Sequence, residues 1–211
     1  MVDKEIHNFY MYFTIFLFSV ALLLGFGLFY VDNKEKSADP VENIVILDTN
    51  YGEIKIELFL TQSPITANNF RDLVASGFYD RTKFHRIIDG FMIQGGDPLS
   101  KDLTNQAAWG TGGSDTVIED EFIEGLSNKQ WTISMANSGP NSGSSQFFIN
   151  LQDNVNLDWD KQPSSSKHPV FGKVISGFEV IEKIASVETT GSPFDRPIES
   201  VVINKATMSF N

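Results

Sequence analysis

From Ile44 onward the hydrophobic positions fall into two kinds of run. Ile44-Val45-Ile46-Leu47 and the alternating Ile54-x-Ile56-x-Leu58 flank Asn50-Tyr51-Gly52, a period-2 pattern around a turn that predicts a β-hairpin. The spacing then lengthens to a helical stripe of Ala67, Phe70, Leu73 and Val74, with Ser63 as the predicted N-cap, Pro64 at the first helical position and Gly77 as the stop. Short apolar runs separated by Gly-rich turns follow at 84–88, 91–94, 131–135, 146–151 and 169–174. A second helix is predicted after Gly177, with Val180, Ile181 and Ile184 on one side, and a last strand over 200–208. Many short strands with two helices predict a mainly β fold, a closed antiparallel barrel capped by helices, although spacing alone leaves a sandwich open.

The first part of the chain has a different pattern. Residues 9–31 carry no charge and are apolar on every face. A helix of that length would cross a hydrocarbon core of roughly 30 Å, with Tyr10, Tyr12 and Tyr30 near its ends. The segment is too long for a signal-peptide apolar region and offers only Ser37-Ala38 as a small-residue cleavage site. The predicted organisation is therefore a short polar N-terminus (1–8), a transmembrane helix (9–31), a polar linker (32–42) and a globular domain (43–211). A single-pass, membrane-anchored protein with an extracytoplasmic domain is expected. Orientation is left open, because one Lys precedes the span and two follow closely, nominally placing the C-terminal side inside.

Composition narrows the chemistry. Net charge is −11, most of it beyond residue 40, and an acidic domain repels phosphate backbones, so nucleic acid is not an expected partner. There is no cysteine, which excludes disulfides, thiol nucleophiles and Cys-ligated metals. His7, His85 and His168 are scattered with no metal-ligand spacing, so no metal is expected.

Two segments carry most of the remaining signal. In the first, FHRIIDGFMIQGGD (84–97), strand-like runs bracket the tight-turn dipeptide Asp89-Gly90. Alternation puts Arg86 on one face with Phe84 and Ile88, where a snorkelling or salt-bridged arginine is the ordinary reading. The second, SMANSGPNSGSSQFFI (134–149), is a strand, a Gly/Ser/Asn loop and another strand. Its serines lack a G-x-S-x-G elbow and an assignable base, so hydrolysis is not expected. Gly110-Thr111-Gly112-Gly113 lacks the lysine of a phosphate loop.

Taken together with GTGG (110–113) and HPVFGKV (168–174), these segments resemble the cyclophilins, in that family's order and approximate spacing, from Ile44 to Met208. The resemblance implies a closed eight-stranded antiparallel barrel with two helices, a proline-binding groove, and peptidyl-prolyl cis/trans isomerase activity that assists protein folding without a cofactor. It implies Arg86 as the catalytic arginine, with Phe91, Gln94 and His168 in the catalytic set. Met92, Phe148 and Leu157 would complete the wall of the proline pocket. Gly110, Ala136, Asn137, Ser138 and Gln146 would hold the substrate backbone or line an adjoining pocket. Expected partners are proline-containing peptides and folding proteins. A module that binds such peptides with little turnover is the alternative reading.

Two departures from the family pattern stand out. Asn156 occupies a position where well-known members carry tryptophan, so binding of cyclosporin-type inhibitors is expected to be weakened. Residues 159–167 (WDKQPSSSK) are inserted before His168, and Trp159 could either swing over the pocket or serve in packing.

Overall fold

The alternating runs on either side of Asn50 and Tyr51 form two strands, β1 (Ile44–Thr49) and β2 (Gly52–Leu58). Val45 lies opposite Ile56 and Leu47 opposite Ile54, and all four side chains are fully buried. The remaining strands are β3 (Arg86–Ile88), β4 (Met92–Gly95), β5 (Thr132–Met135), β6 (Phe147–Asn150), β7 (Val170–Ser176) and β8 (Ile203–Ser209). They form one antiparallel sheet in the order β3-β4-β6-β5-β7-β2-β1-β8. The computed structural model describes residues 43–161 and 167–210, with Met11 and Phe16. These ranges fall in the unit Pro40–Asn211, apart from the two N-terminal residues.

The expectation of a fully closed barrel is corrected: the regular ladder does not join β3 to β8, and the sheet is a half-barrel. Arg81 sits in the left-handed region at φ 70°, which interrupts extended backbone just before β3. The seam is crossed instead by irregular chain. Lys83 bridges Val202, and the N–H groups of Arg81 and Phe84 donate to the carbonyls of Ile203 (2.8 Å) and Val201 (2.9 Å).

Helix α1 (Pro64–Ala75) turns Thr66, Ala67, Phe70 and Val74 inward. Phe70 is the hub of the core, with its ring 4.9 Å from Tyr79, 5.2 Å from Phe147 and 5.2 Å from Phe171. Its C-terminus ends as predicted: Gly77 at φ 72° donates to the Val74 carbonyl while Phe78 donates to that of Leu73. The N-terminus differs from expectation. Ser63 makes no side-chain cap; it donates to Glu121, whose carboxylate accepts from the N–H groups of Ile65 (3.1 Å) and Thr66 (2.9 Å). A carboxylate borrowed from a distant loop satisfies the orphan donors and the positive helix end at once. Helix α2 (Phe178–Ala185) follows Gly177 and buries Val180, Ile181 and Ile184, as predicted.

The membrane expectation is corrected as well. Among the described residues no helix is long and apolar enough to cross a membrane. Helices α1 and α2, with 12 and 8 residues, are amphipathic and reach about 18 and 12 Å at 1.5 Å per residue. The expected span over 9–31 lies outside the described residues, save Met11 and Phe16. Nothing supports the membrane-anchored, extracytoplasmic placement that rested on it.

Candidate active site

The sheet register builds the site. Ile87, Ile93, Ile149 and Ile133 lie opposite one another across β3, β4, β6 and β5, and all four are buried in the core. Successive side chains alternate between faces, so the neighbouring row must point outward. That row is Arg86, Gln94, Phe148 and Ser134. The expectation that Arg86 shares the face of Phe84 is corrected. Phe84 belongs to the core, with its ring 6.0 Å from Phe147, and the alternation changes phase at His85, whose N–H donates to the Gln94 carbonyl.

The outer face opens into a groove of about 450 Å³. Arg86, Phe91, Met92, Gln94, Gly110, Ala136, Asn137, Phe148, Leu157 and His168 all line it. A second depression of about 590 Å³ shares Gln94, Gly110, Ala136 and Asn137 and adds Ser138 and Gln146. All twelve residues expected from the resemblance to form the site thus line one of two adjoining depressions.

A polar lattice joins them. Gln94 Nε2 donates to Gln146 Oε1 at 2.9 Å, and Gln146 Nε2 donates to the carbonyls of Gly110 (3.0 Å) and Gly112 (2.7 Å). The buried carboxylate of Asp97 accepts from the backbone N–H groups of Leu99, Gly110 and Gly112. A Cβ at Gly112 would run into Asp97 Oδ1, which accounts for glycine there. On the opposite rim Asn137 Nδ2 donates to the Lys167 carbonyl at 2.7 Å. Two serine hydroxyls of the 136–146 loop are spent on backbone: Ser142 donates to Gly139 O within the loop, and Ser145 donates to Gly96 O just after β4.

Arg86 is half-buried, with Nε 3.6 Å from Asp195 Oδ2. His168 packs edge-on against Phe148 at 5.1 Å, and its Nδ1 lies 2.9 Å from the Met135 carbonyl, which fixes Nδ1 as the protonated nitrogen of the neutral ring. Burial holds its pKa below the ordinary value, partly offset by that hydrogen bond. His85 is more extreme. Both ring nitrogens are buried without hydrogen-bond partners, and desolvation lowers its pKa to about 4, the carboxylate of Asp97 opposing the shift. Both imidazoles are neutral at pH 7. Arg86 and its neighbours carry the charge of the site.

Several lining residues escaped the sequence reading: His85, Trp109, Pro193, Phe194 and Arg196. Trp109 directly precedes the GTGG segment, and Pro193-Phe194 is an apolar pair in a polar loop, the only local signals available. Trp159 does not line the groove. It stacks on Phe122 (6.4 Å between centroids, 22° between planes) beside a separate depression. The rest of that insertion, 162–166, lies outside the described residues.

Comparison with known proteins agrees with this geometry. Residues 44–208 match the family model for cyclophilin type peptidyl-prolyl cis-trans isomerases. The chain is 43% identical over 169 residues to peptidyl-prolyl cis-trans isomerase CYP18-1 of Arabidopsis thaliana, covering 79% of this chain and 96% of that one. Its fold superimposes with a TM-score of 0.68 on a cyclophilin type isomerase of Cryptosporidium parvum, at 34% identity over 80% of this chain and 98% of the other. A second crystal structure of that parasite protein, solved in the presence of the dipeptide Ala-Pro, matches with the same TM-score at 33% identity, over 80% of this chain and 99% of that one. An outward arginine–glutamine–phenylalanine row over an isoleucine core, in a chain matched to this family from its first described strand to its last, belongs to a cyclophilin-type peptidyl-prolyl cis-trans isomerase.

Proposed function

We propose that this isomerase turns X-Pro bonds in the groove over β3, β4 and β6, with Arg86 as its catalytic residue. The observation that carries the assignment is the cross-strand row. Arg86 and Phe148 both lie opposite Gln94, one on each side, so a charged fork and an aromatic wall are held two strands apart. With a strand spacing of about 4.8 Å, that leaves room for one proline ring between them. Phe91, Met92, Phe148, Leu157 and His168 form the apolar wall that holds the ring. Gly110, Ala136, Asn137, Ser138 and Gln146 offer backbone and amide groups to the flanking peptide. The Ala-Pro dipeptide present with the parasite relative is an X-Pro peptide of the kind this groove suits.

The chemistry follows from amide resonance. Rotation about an X-Pro bond faces a barrier of roughly 20 kcal/mol because twisting breaks the C–N partial double bond. In the twisted state the proline nitrogen becomes pyramidal and gains a lone pair that accepts a hydrogen bond. A guanidinium above the ring donates to that lone pair and finds no such acceptor in the planar ground state. This is stabilisation selective for the transition state, and each 1.4 kcal/mol of it accelerates rotation about tenfold. The lattice through Gln146 positions Gln94 opposite Arg86. The step needs neither nucleophile nor proton carrier.

The test is turnover of a short X-Pro peptide by variants checked for folding. Arg86→Lys keeps the charge but loses the planar fork, so kcat/KM should fall at least about tenfold. Arg86→Ala should fall further with an unchanged circular dichroism spectrum, because the side chain faces the groove. The wild-type rate should be flat from about pH 6 to 8, where a histidine acting as general base would titrate. A wild-type-like Arg86→Ala sinks the mechanism. Residues 43–211 are proposed as the complete isomerase unit, with 32–42 a linker. A fragment beginning at residue 43 should retain the kcat/KM of the full chain within about twofold, and a folded but inactive fragment refutes that boundary.

A further inference from the structure

We propose that Arg196 is a specificity-determining residue of the isomerase site, favouring substrates with a carboxylate side chain (Asp or Glu) close to the isomerising proline. Arg196 lines the same groove as Arg86. Its guanidinium is clamped between two rings, 5.4 Å from the centre of Trp109 and 5.5 Å from that of Phe194. Such a stack holds a cation in place without neutralising it.

The guanidinium has no counter-charge. Among the described residues the ion pairs involve Arg71, Arg86, Lys161 and Lys173, and Arg196 is in none of them. Its Nε is buried without a hydrogen-bond partner. The carboxylate next to it in the chain is committed elsewhere, since Asp195 lies against Arg86. His85, which lines the same groove, is a neutral ring and adds no counter-charge. One end of the groove is therefore positive in a chain whose net charge is −11.

The loop carrying Arg196 is fixed. Its backbone is tied to Thr190 by two hydrogen bonds, and the Asp195 carbonyl accepts from Ile87 N–H at 2.9 Å, pinning the loop to β3 beside the catalytic arginine. A guanidinium already immobilised by packing surrenders little rotamer freedom when it pairs, and its planar donors match a carboxylate. An arginine that served only to pack the loop would give no preference for charge over shape.

The inference rests on the isomerase reading, and the experiment separates the two. Peptides identical except for Glu or Gln are assayed with the full chain, the exchange being made in turn at each position flanking the proline. Turnover of the Gln peptides tests the isomerase reading alone. The Glu/Gln ratio of kcat/KM tests Arg196. At one position that ratio should reach about threefold, the size expected of a partly exposed ion pair. Arg196→Met keeps the apolar stack and removes the charge, and should bring the ratio to about one; Arg196→Gln serves in its place should Met not fold. Arg71→Met, a control on α1 that does not line the groove, should retain the wild-type ratio. A wild-type ratio near one at every position, or a preference that survives loss of the Arg196 charge, overturns the proposal.

Discussion

The two sides of the groove are built differently. On one side β3, β4 and β6 carry Arg86, Met92, Gln94 and Phe148, and their positions follow from strand register above a core of isoleucines and phenylalanines. The other side is loop. The 98–109 turns bring Trp109, the 189–197 loop brings Phe194 and Arg196, and stacking contacts between side chains hold them together. The strand-built half inherits its precision from hydrogen-bonded ladders. The loop-built half depends on a few contacts, so it can change without disturbing the sheet. Chemistry is best placed on the first and selectivity on the second.

That contrast can be broken most forcefully beneath the strand side. Phe147 is fully buried directly beside Phe148 and touches Phe70, Tyr79 and Phe84. Phe147→Ala should destabilise the fold by about 3–5 kcal/mol in urea unfolding and loosen the groove wall at Phe148 with it. A loss below about 1 kcal/mol would mean that the core does not set the face above it.

His85 stands where the two sides meet, and its effect should be next in size. The unfolded ring takes up a proton near pH 6.5, whereas the folded ring refuses it until about pH 4. More protons are bound by the unfolded chain across that window, so stability falls as pH drops through it, by about 3 kcal/mol in total. Chemical denaturation at pH 7, 5.5 and 4.5 should show the decline, and His85→Gln should make it shallower. An identical slope in the variant would assign acid lability to other groups.

The smallest effect belongs to the loop side. Asn156 is exposed in the 3₁₀ turn Val155–Leu157, adjacent to the pocket residue Leu157. Asn156→Trp should strengthen inhibition by cyclosporin-type macrocycles roughly threefold, about 0.6 kcal/mol, and leave peptide turnover nearly unchanged. A large change in turnover would show that this turn shapes the catalytic pocket as well as its rim.

The strand side was also the more legible in the sequence. Arg86, Met92, Gln94 and Phe148 sit in short motifs whose order and spacing carried the family resemblance; of the twelve residues expected in the site only Leu157 lies outside those motifs, and all twelve line the two depressions. Helix α1 was readable down to its Gly77 stop, yet its cap was not, because Glu121 reaches Ser63 from 58 residues away. The phase change at His85 was hidden too, since alternation is inferred from neighbours and a break in it is made by pairing to β4. The apolar stretch at 9–31 pointed to a membrane helix from hydropathy alone, and no helix among the described residues is of that kind.

What the amino-acid order determined by itself was local: period-2 and helical spacing, turn residues, and contiguous motifs in which Arg86, Phe91 and Gln94 fall within nine residues. Tertiary structure alone decided which distant segments meet. Arg86 and Asp195 are separated by more than a hundred residues, and the two jaws of the Arg196 clamp, Trp109 and Phe194, by 85. The physical reason is that a strand's pattern is written in its own residues. A salt bridge or a cation between two rings exists only once the sheet has brought its edges together, and no periodicity along the chain records that meeting.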